Sequence, residues 1–448
     1  MLYAGSAASR SGLTQLASPP PKPPGVAVQQ LQRILLIAVL FLAVAAISKS
    51  LASAATETIP VWLGSGVTFS ALLISARWWW PATLAGAALA AAAWGMAAHG
   101  LDPLGAVAFA GVEVASVAVG AWIATLGRRD PDSPAGAALF IVGALAGSVL
   151  GGALAVALWQ WQRPDLNLLL EGCTWTLSSA VGTLLLTPVV TAFRGFRLRR
   201  SGGMAMTQFL GGAAAFAVFL IAVALVFIDH GQQHYGHVAA TLAYLPMPFL
   251  LIAAALWGAR GGALALLIGG LLIIGRTAAG GGPFAVDEGF HGEAVVEVQG
   301  FVIIWAAVMI AVRALSGERR QSRDDAQAWR LRYERIMQAV GVASVEYDAV
   351  TGGATWSEGA DRVLGADAAA IASLDEWLER IDPAERELVQ ATWLQVAQGG
   401  ARASEQSYTL RLGDGRSVRV RERLAGIRGA DEAVEQVVGL LRLENNDG

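Results

Sequence analysis

The chain has 448 residues, of which 55% are hydrophobic and 15% charged, and its net charge is −3. This balance argues against a nucleic-acid binder, which would carry a basic stripe, and a single cysteine, Cys173, excludes an intrachain disulfide and a cysteine-based metal cluster. Residues 1–317 contain 15 Lys or Arg and 12 Asp or Glu, whereas residues 318–448 contain 17 and 23. Because charge is costly in hydrocarbon, these counts predict a polytopic membrane part followed by a soluble part.

Residues 1–30, with the proline-rich run Pro19–Pro24, are predicted to be a disordered cytoplasmic leader. Ten apolar stretches follow, and a helix needs ~20 such residues to cross a bilayer. They are placed near 33–53, 60–76, 80–98, 104–126, 135–158, 168–193, 207–228, 238–256, 261–275 and 294–315. The second and the ninth are short, so each is expected to be a tilted or partial element.

Basic residues between these stretches predict the orientation of the chain, because loops rich in Lys and Arg stay in the cytoplasm. Five groups fall on one side when ten spans alternate, namely Arg77, Arg128–Arg129, Arg194–Arg200, Arg260 and the cluster Arg313–Arg323. Lys49, Arg163 and Arg276 fall near the other side. Both termini are therefore predicted to be cytoplasmic.

Several different short motifs occur in a fixed order along the membrane part. They are Val61–Val67, Ala71–Arg77 with Trp80-Pro81, Glu113, Gly182 with Leu186-Thr-Pro188, Leu245-Pro246-Met-Pro248 and Gly282-Pro-Phe284. Together they resemble bacterial membrane-associated sensor domains of the first type, the MASE family, over residues 31–316. Gly64 and Ser179 depart from the family pattern, where a proline and an acidic residue are expected. The resemblance implies a cell inner membrane protein that receives a stimulus for a linked signalling output.

The soluble part has the element order of a small α+β domain. Strands are predicted at Gly341–Tyr347, Gly353–Ser357, Glu405–Leu412, Arg416–Ile427 and Gln436–Leu443, with helices at Glu358–Gly365, Leu374–Ile381 and up to Gln398. The stretch Trp377–Arg386 resembles the helix-opening signature of PAS domains. The predicted fold is thus an all-α membrane bundle of about ten helices followed by a PAS domain over 341–446.

The residue types that the soluble part lacks argue against several cofactors and enzyme activities. Its sequence beyond His291 contains no histidine and no cysteine, which argues against haem held by His and against a LOV-type flavin adduct in the PAS domain. No signature of a diguanylate cyclase, its phosphodiesterase, a histidine kinase or a Walker loop is present. The cofactor, if any, stays unknown, and no catalytic residue is predicted.

Residues 317–340 are predicted to form a signalling helix between the two parts. Ten positions follow one another in steps of four and three, as in a coiled-coil seam, and all are apolar or aromatic except the polar interruptions Arg319 and Ser322: Val308, Val312, Leu315, Arg319, Ser322, Ala326, Trp329, Tyr333, Ile336 and Val340. We call these ten residues the junction seam, with Leu315, Trp329, Tyr333 and Ile336 as its principal contacts. The seam predicts a parallel homodimer, and the alternative is an amphipathic helix packed on the PAS sheet.

Glu113 lies midway through the fourth apolar stretch, and a carboxylate at that depth needs a partner or a proton. It is a candidate functional residue, and the alternative is a structural hydrogen-bond node to Ser116 or a neighbouring helix. Trp62 and Ser65 of the Val61–Val67 motif join Glu113 as candidate ligand-binding residues. Trp159, Trp161, Glu171 and Trp175 form a second candidate group at the predicted outer ends, with an interfacial aromatic belt as the alternative.

His230, His234 and His237 are spaced i, i+4 and i+7, which would place three imidazoles on one face of a helix. They are candidate metal ligands or pH-responsive groups, and a solvated loop is the alternative.

The sequence favours a sensory receptor that is not an enzyme. It would work with a homodimer partner, the lipid bilayer and a separate signalling partner such as a kinase or a cyclic-dinucleotide enzyme. The alternatives are the sensory portion of a longer diguanylate cyclase or histidine kinase, and a transporter with a regulatory tail.

Overall fold

The computed structural model describes residues 26–53, 58–128, 133–163, 167–194, 205–227, 239–284, 292–357, 360–361, 371–412, 415–429 and 432–444. The chain divides into two compact units, Met1–Glu318 and Arg319–Gly448. The predicted leader lies outside the described residues up to position 25. The first helix begins at Val26, ahead of the predicted end of the leader at 30.

The elements described in the first unit are all helices. The longer ones are α1 (Val26–Ser50), α2 (Leu63–Leu73), α3 (Trp80–His99), α4 (Pro103–Ala124), α5 (Pro134–Gln162), α6 (Leu168–Ala192), α7 (Met206–Val226), α8 (Met247–Ala278) and α9 (Glu293–Val340), of which α9 continues into the second unit. Short helical segments lie at Arg77–Trp79, Leu126–Arg128 and Ala239–Leu242. Prolines stand in the first turn of α3, α4 and α5, where a missing backbone N–H costs nothing. Asp102 and Ser133 cap α4 and α5 with their side-chain oxygens.

Eight of the described helices are long and apolar enough to cross a membrane, and the prediction of about ten is confirmed in outline. The second predicted span is the short helix α2, which has 11 residues. The eighth begins ahead of α8, with a four-residue helix at Ala239–Leu242, and continues into α8. The ninth lies within α8, where Gly258 has φ 68° and ψ −161° and interrupts the helix. That backbone conformation is open to glycine alone, so α8 consists of two helical segments that meet at Gly258.

Small residues allow the helices of this unit to pack at short range. A Cβ added to Gly120 would lie 2.6 Å from the carbonyl oxygen of Gly143, and one added to Gly147 would lie 2.6 Å from that of Ser116. These three glycines therefore hold α4 and α5 in backbone contact, as small residues do in membrane bundles.

The second unit contains a five-stranded antiparallel sheet. Its strands are β1 (Val342–Asp348), β2 (Ala354–Trp356), β3 (Ala403–Arg411), β4 (Ser417–Arg428) and β5 (Val434–Leu443), in the spatial order β2-β1-β5-β4-β3. Helices α10 (Leu374–Glu379) and α11 (Pro383–Ala397) cover one face of the sheet. All five predicted strands and both of these helices are observed, whereas most of the helix predicted at Glu358–Gly365 lies outside the described residues.

The sequence of this unit explains its element boundaries. Ser373 and Asp382 cap α10 and α11, and Pro383 occupies the first position of α11. Along β4, buried residues alternate with exposed ones, so that Val420, Glu422 and Leu424 face the core. The core also contains Tyr347, Tyr408 and Trp377, which rank among the largest fully buried side chains.

Candidate functional site

Glu113 lies at the centre of the membrane unit and is completely buried. The hydroxyl of Ser65 donates to its Oε1 at 2.9 Å, and the indole nitrogen of Trp62 donates to its Oε2 at 3.1 Å. Three residues that the sequence singled out as ligand-binding candidates therefore form one hydrogen-bonded cluster, which we call the Glu113 cluster (Trp62, Ser65 and Glu113).

The short helix α2 brings Trp62 and Ser65 to Glu113. Trp62 precedes α2, and its backbone N–H donates to the carbonyl of Ser178 at 2.9 Å. The next N–H, that of Leu63, donates to the hydroxyl of Ser48 at 3.0 Å. These bonds satisfy the backbone where it is not helical, as burial away from water requires, so α1 and α6 fix the start of α2.

Glycines of the sequence motifs allow this arrangement. A Cβ on Gly182 would overlap the carbonyl of Trp62, and a Cβ on Gly66 would overlap the carbonyl of Gly182 itself. The backbones of α2 and α6 are therefore in direct contact at the level of the Glu113 cluster. The hydroxyls of Ser70 and Thr187, 3.1 Å apart, join the same two helices further along.

The carboxyl group of Glu113 is surrounded by neutral donors and a helix N-terminus. In the described part of the chain, no ion pair to Glu113 within 4.0 Å is found. Its two oxygens accept from neutral donors, and Ser65 belongs to the first turn of α2, where helix N–H groups favour negative charge. The carboxyl group thus keeps two acceptor positions for a proton or a bound donor.

Aromatic rings surround the Glu113 cluster in two groups. The ring centroid of Trp62 lies 5.8 Å from those of Phe41 and Trp94. Phe109, one turn before Glu113 in α4, lies 5.2 Å from Trp175 and 6.5 Å from Trp159. These separations fall within the range of favourable ring pairs, so the aromatic residues continue from Glu113 towards the ends of α5 and α6.

The second predicted group is only partly assembled. Trp159 is buried and Trp175 half-buried, and both contact Phe109. Trp161 is 55% exposed, as an interfacial belt residue would be. Glu171 is half-buried and interacts with Arg163. The predicted metal ligands His230, His234 and His237 lie outside the described residues, and the described residues contain no group of three ligands that would hold a metal ion.

Residues that the sequence did not indicate complete this region. Phe109 stands four residues before Glu113 and so on the same helix face, a relation that helical periodicity would have revealed. Phe41 and Trp94 come from α1 and α3, and no local pattern connects them to Glu113. His99 also joins the aromatic group, 5.4 Å from Phe109 and 5.8 Å from Trp159 by ring centroid.

The junction seam is the other candidate site, and its apolar side chains are exposed in the single chain. In α9, Val308, Val312 and Leu315 are exposed, whereas the neighbouring Met309 and Ala314 are buried in the membrane unit. Beyond the membrane unit, the exposed fractions reach 70% for Trp329 and 59% for Ile336. Tyr333 and Val340 are exposed as well. The seam is therefore separate from the face of α9 that packs on the bundle.

Two family models match the chain. The MASE1 model matches residues 32–320, and the model described as PAS fold matches residues 354–441. No match was found among curated proteins.

Three solved structures match 22–25% of this chain at low similarity. The N-terminal domain of a diguanylate cyclase with a PAS/PAC sensor from Marinobacter aquaeolei is 20% identical over 22% of this chain and 92% of its own, with a TM-score of 0.21. A sensory box histidine kinase/response regulator from Burkholderia thailandensis is 16% identical over 25% and 83%, with a TM-score of 0.22. Drosophila melanogaster Cycle PAS-B with bound glycerol is 9% identical over 23% and 99%, with a TM-score of 0.20.

The MASE1 match covers more than half of the chain, and the apolar helices of the first unit agree with it. The chain is a multi-pass membrane protein of the MASE1 family with a PAS domain after its membrane unit.

Proposed function

We propose that the protein is a bacterial inner-membrane sensory receptor with both termini in the cytoplasm. A stimulus acts on the membrane unit, and α9 passes the response to the PAS domain without a catalytic step in this chain. The observation that carries this proposal is the continuity of α9, one helix of 48 residues from Glu293 to Val340. Strand β1 begins at Val342, two residues after the helix ends.

The Glu113 cluster is the proposed site of stimulus reception. Its two hydrogen bonds connect the start of α2 with the middle of α4, and α2 is almost wholly buried among its neighbours. A proton or a ligand donor at the carboxyl group would weaken the hydrogen bonds that Glu113 accepts from Trp62 and Ser65 and so change the packing of α2. A stimulus shifts such an equilibrium only if it binds the two arrangements with different affinity.

The working form is proposed to be a homodimer joined along the junction seam. Every described residue of 322–340 except Met337 is exposed in the single chain, so this part of α9 has little packing of its own. An isolated helix of that kind is marginal in water, and its apolar members share one face. A second copy offers the same face, so that Trp329, Tyr333 and Ile336 would be buried in pairs.

A second candidate function is the sensory portion of a longer signalling enzyme, a diguanylate cyclase or a histidine kinase. MASE1 and PAS are both sensor domains, and an output domain would be expected to act in the same dimer. A separate kinase or cyclic-dinucleotide enzyme would serve a chain without such a domain. A transporter with a regulatory tail is less favoured, because the described spans contain few charged residues.

Disulfide cross-linking of the full chain in membranes tests the dimer. The background variant is Cys173→Ser, because Cys173 is exposed. Trp329→Cys should give a cross-linked dimer in high yield, whereas Arg332→Cys, three residues further round the same helix, should give far less. Equal yields from the two variants, or monomers from both, would contradict the parallel seam.

A further inference from the structure

A second buried carboxyl group lies in the core of the PAS domain. Glu422 occupies a core-facing position of β4 between Val420 and Leu424 and is 2% exposed. The amide of Gln406 on β3 donates to its Oε2 at 2.8 Å. On the other side, a Cβ at Gly439 of β5 would lie 3.0 Å from its Oε1, so the missing side chain of Gly439 makes room for the carboxyl group.

The described groups that face Glu422 carry no charge. Gln406 and Tyr408 face it from β3, and Tyr347 faces it from β1. Leu441 and Gly439 are its neighbours on β5. From the helices, Trp377 donates to the hydroxyl of Tyr408 at 3.0 Å, and Trp393 lies against Tyr347 with ring centroids 6.1 Å apart.

Three buried polar atoms of this layer have no hydrogen-bond partner in the described structure. They are the hydroxyl of Tyr347, Oε1 of Gln406 and the indole nitrogen of Trp393. An unpaired buried polar group costs free energy. These donors and acceptors are therefore available to form new hydrogen bonds when the protonation state of Glu422 changes. An ionised Glu422 would accept from the hydroxyl of Tyr347, and a protonated one would donate to a neighbouring oxygen such as Oε1 of Gln406.

Burial raises the pKa of Glu422 to about 7, against the opposing effect of hydrogen bonds from Gln406 and Tyr408. Burial also raises the pKa of both Tyr347 and Tyr408, which keeps their hydroxyls protonated as donors. A carboxyl group whose folded pKa exceeds its unfolded value stabilises the fold at low pH, and this stabilisation is lost as the pH rises through the folded value.

We propose that Glu422 makes the PAS domain responsive to cytoplasmic pH, by exchanging a proton with solvent, which changes its hydrogen bond with Gln406 and allows a new one with Tyr347 to form. Ionisation would draw the hydroxyl of Tyr347 towards β4. Tyr347 belongs to β1, which follows α9 almost directly, so the charge of Glu422 would act on the strand nearest to the signalling helix. This last step rests on the proposed function, whereas the titration of Glu422 does not.

Infrared difference spectroscopy of the full chain in lipid nanodiscs tests the titration. The carbonyl stretch of protonated Glu422 should disappear with a midpoint near pH 7, and it should be absent from Glu422→Gln at every pH. Because that variant retains Glu113, subtracting its spectrum isolates Glu422. The control Glu346→Gln changes an exposed carboxylate on β1 of the same sheet and should keep the band.

Gln406→Leu provides a second variant that leaves the carboxyl group in place. It removes the donor to Oε2 and should move the midpoint to higher pH, because that hydrogen bond favours the ionised form. Spectra of the wild type and Glu422→Gln that agree throughout, a midpoint near the ordinary value of 4.5, or no shift in Gln406→Leu would overturn the inference.

The coupling of Glu422 to α9 is tested by a separate measurement. The yield of cross-linked dimer from Trp329→Cys should change with the same midpoint, and the change should vanish when Glu422→Gln is added. A titrating band with a constant cross-linking yield would refute the coupling to α9 while leaving the dimer intact. Absence of any cross-link would instead count against the proposed dimer and so against the proposed function.

Discussion

The indole nitrogen of Trp62 lies 3.1 Å from Oε2 of Glu113, which joins the residue before α2 to the middle of α4. The two residues are 51 positions apart in the chain, and both are buried. A buried carboxylate without a cationic partner depends on such donors. The bond is therefore expected to contribute to the stability of the membrane unit and to the position of α2.

Trp62→Phe should destabilise the membrane unit by about 1–3 kcal/mol, because an aromatic ring, although a smaller one, remains while the donor to Glu113 is lost. Thermal unfolding of the purified full chain in detergent measures the effect. Trp161→Phe is the matched control, since Trp161 is 55% exposed, and it should unfold like the wild type. Equal unfolding temperatures for the two variants would show that the indole N–H of Trp62 does not support Glu113.

Gly182→Ala should destabilise the membrane unit more than the addition of a single methyl group usually does. The added Cβ would overlap the backbone carbonyl of Trp62, and a backbone atom cannot swing aside as a side chain can. Overpacking of this kind costs about 1–3 kcal/mol, and the expected signs are a lower unfolding temperature and reduced yield of folded protein.

Gly111→Ala serves as the control for Gly182→Ala. No atom lies within 4 Å of a Cβ at this helical position, and alanine favours a helix over glycine by about 1 kcal/mol. The control should therefore be as stable as the wild type or slightly more stable. If both alanine variants unfold alike, the contact between α2 and α6 at Trp62 is not tight.

The sequence predicted the helices of the membrane unit in outline, because a membrane-spanning helix requires a long uninterrupted apolar stretch. It predicted the PAS strands because residues such as Val420 and Leu424 alternate with charged ones. The break at Gly258 was placed between two predicted spans, yet the glycine conformation that causes it has no sequence signature of its own. The partners of Glu113 were found through a family motif, whereas Phe41 and Trp94 depend on tertiary packing that no pattern records.

The predicted orientation can be tested with reporter fusions. A fusion after Arg200 should report the cytoplasmic side, and a fusion after Gln233 the opposite side, because basic residues cluster near Arg200 and α7 lies between the two positions. Alkaline phosphatase and green fluorescent protein at each position give complementary readouts. If both fusions report the same side, the predicted alternating arrangement of spans is wrong.

Continuity of the junction seam through α9 is the central claim of the proposed mechanism. One inserted residue rotates all that follows by ~100° at 3.6 residues per turn, whereas seven restore the original face to within ~20°. An insertion of one residue between Ser322 and Asp324 should therefore leave the membrane part and the PAS side of the seam facing different directions. Signalling to a partner should then be locked on or off, and seven inserted residues should largely recover it.

The most direct test cross-links both sides of the insertion in one molecule. Val312→Cys and Trp329→Cys are combined on the Cys173→Ser background, and one, three or seven residues are inserted between Ser322 and Asp324. The account predicts that both positions cross-link within one dimer in the uninserted chain and with seven residues. With one inserted residue, a dimer cross-linked at one position should fail to cross-link at the other. Double cross-linking that is equally efficient at all three insertion lengths would show that α9 is a passive tether and would contradict the account.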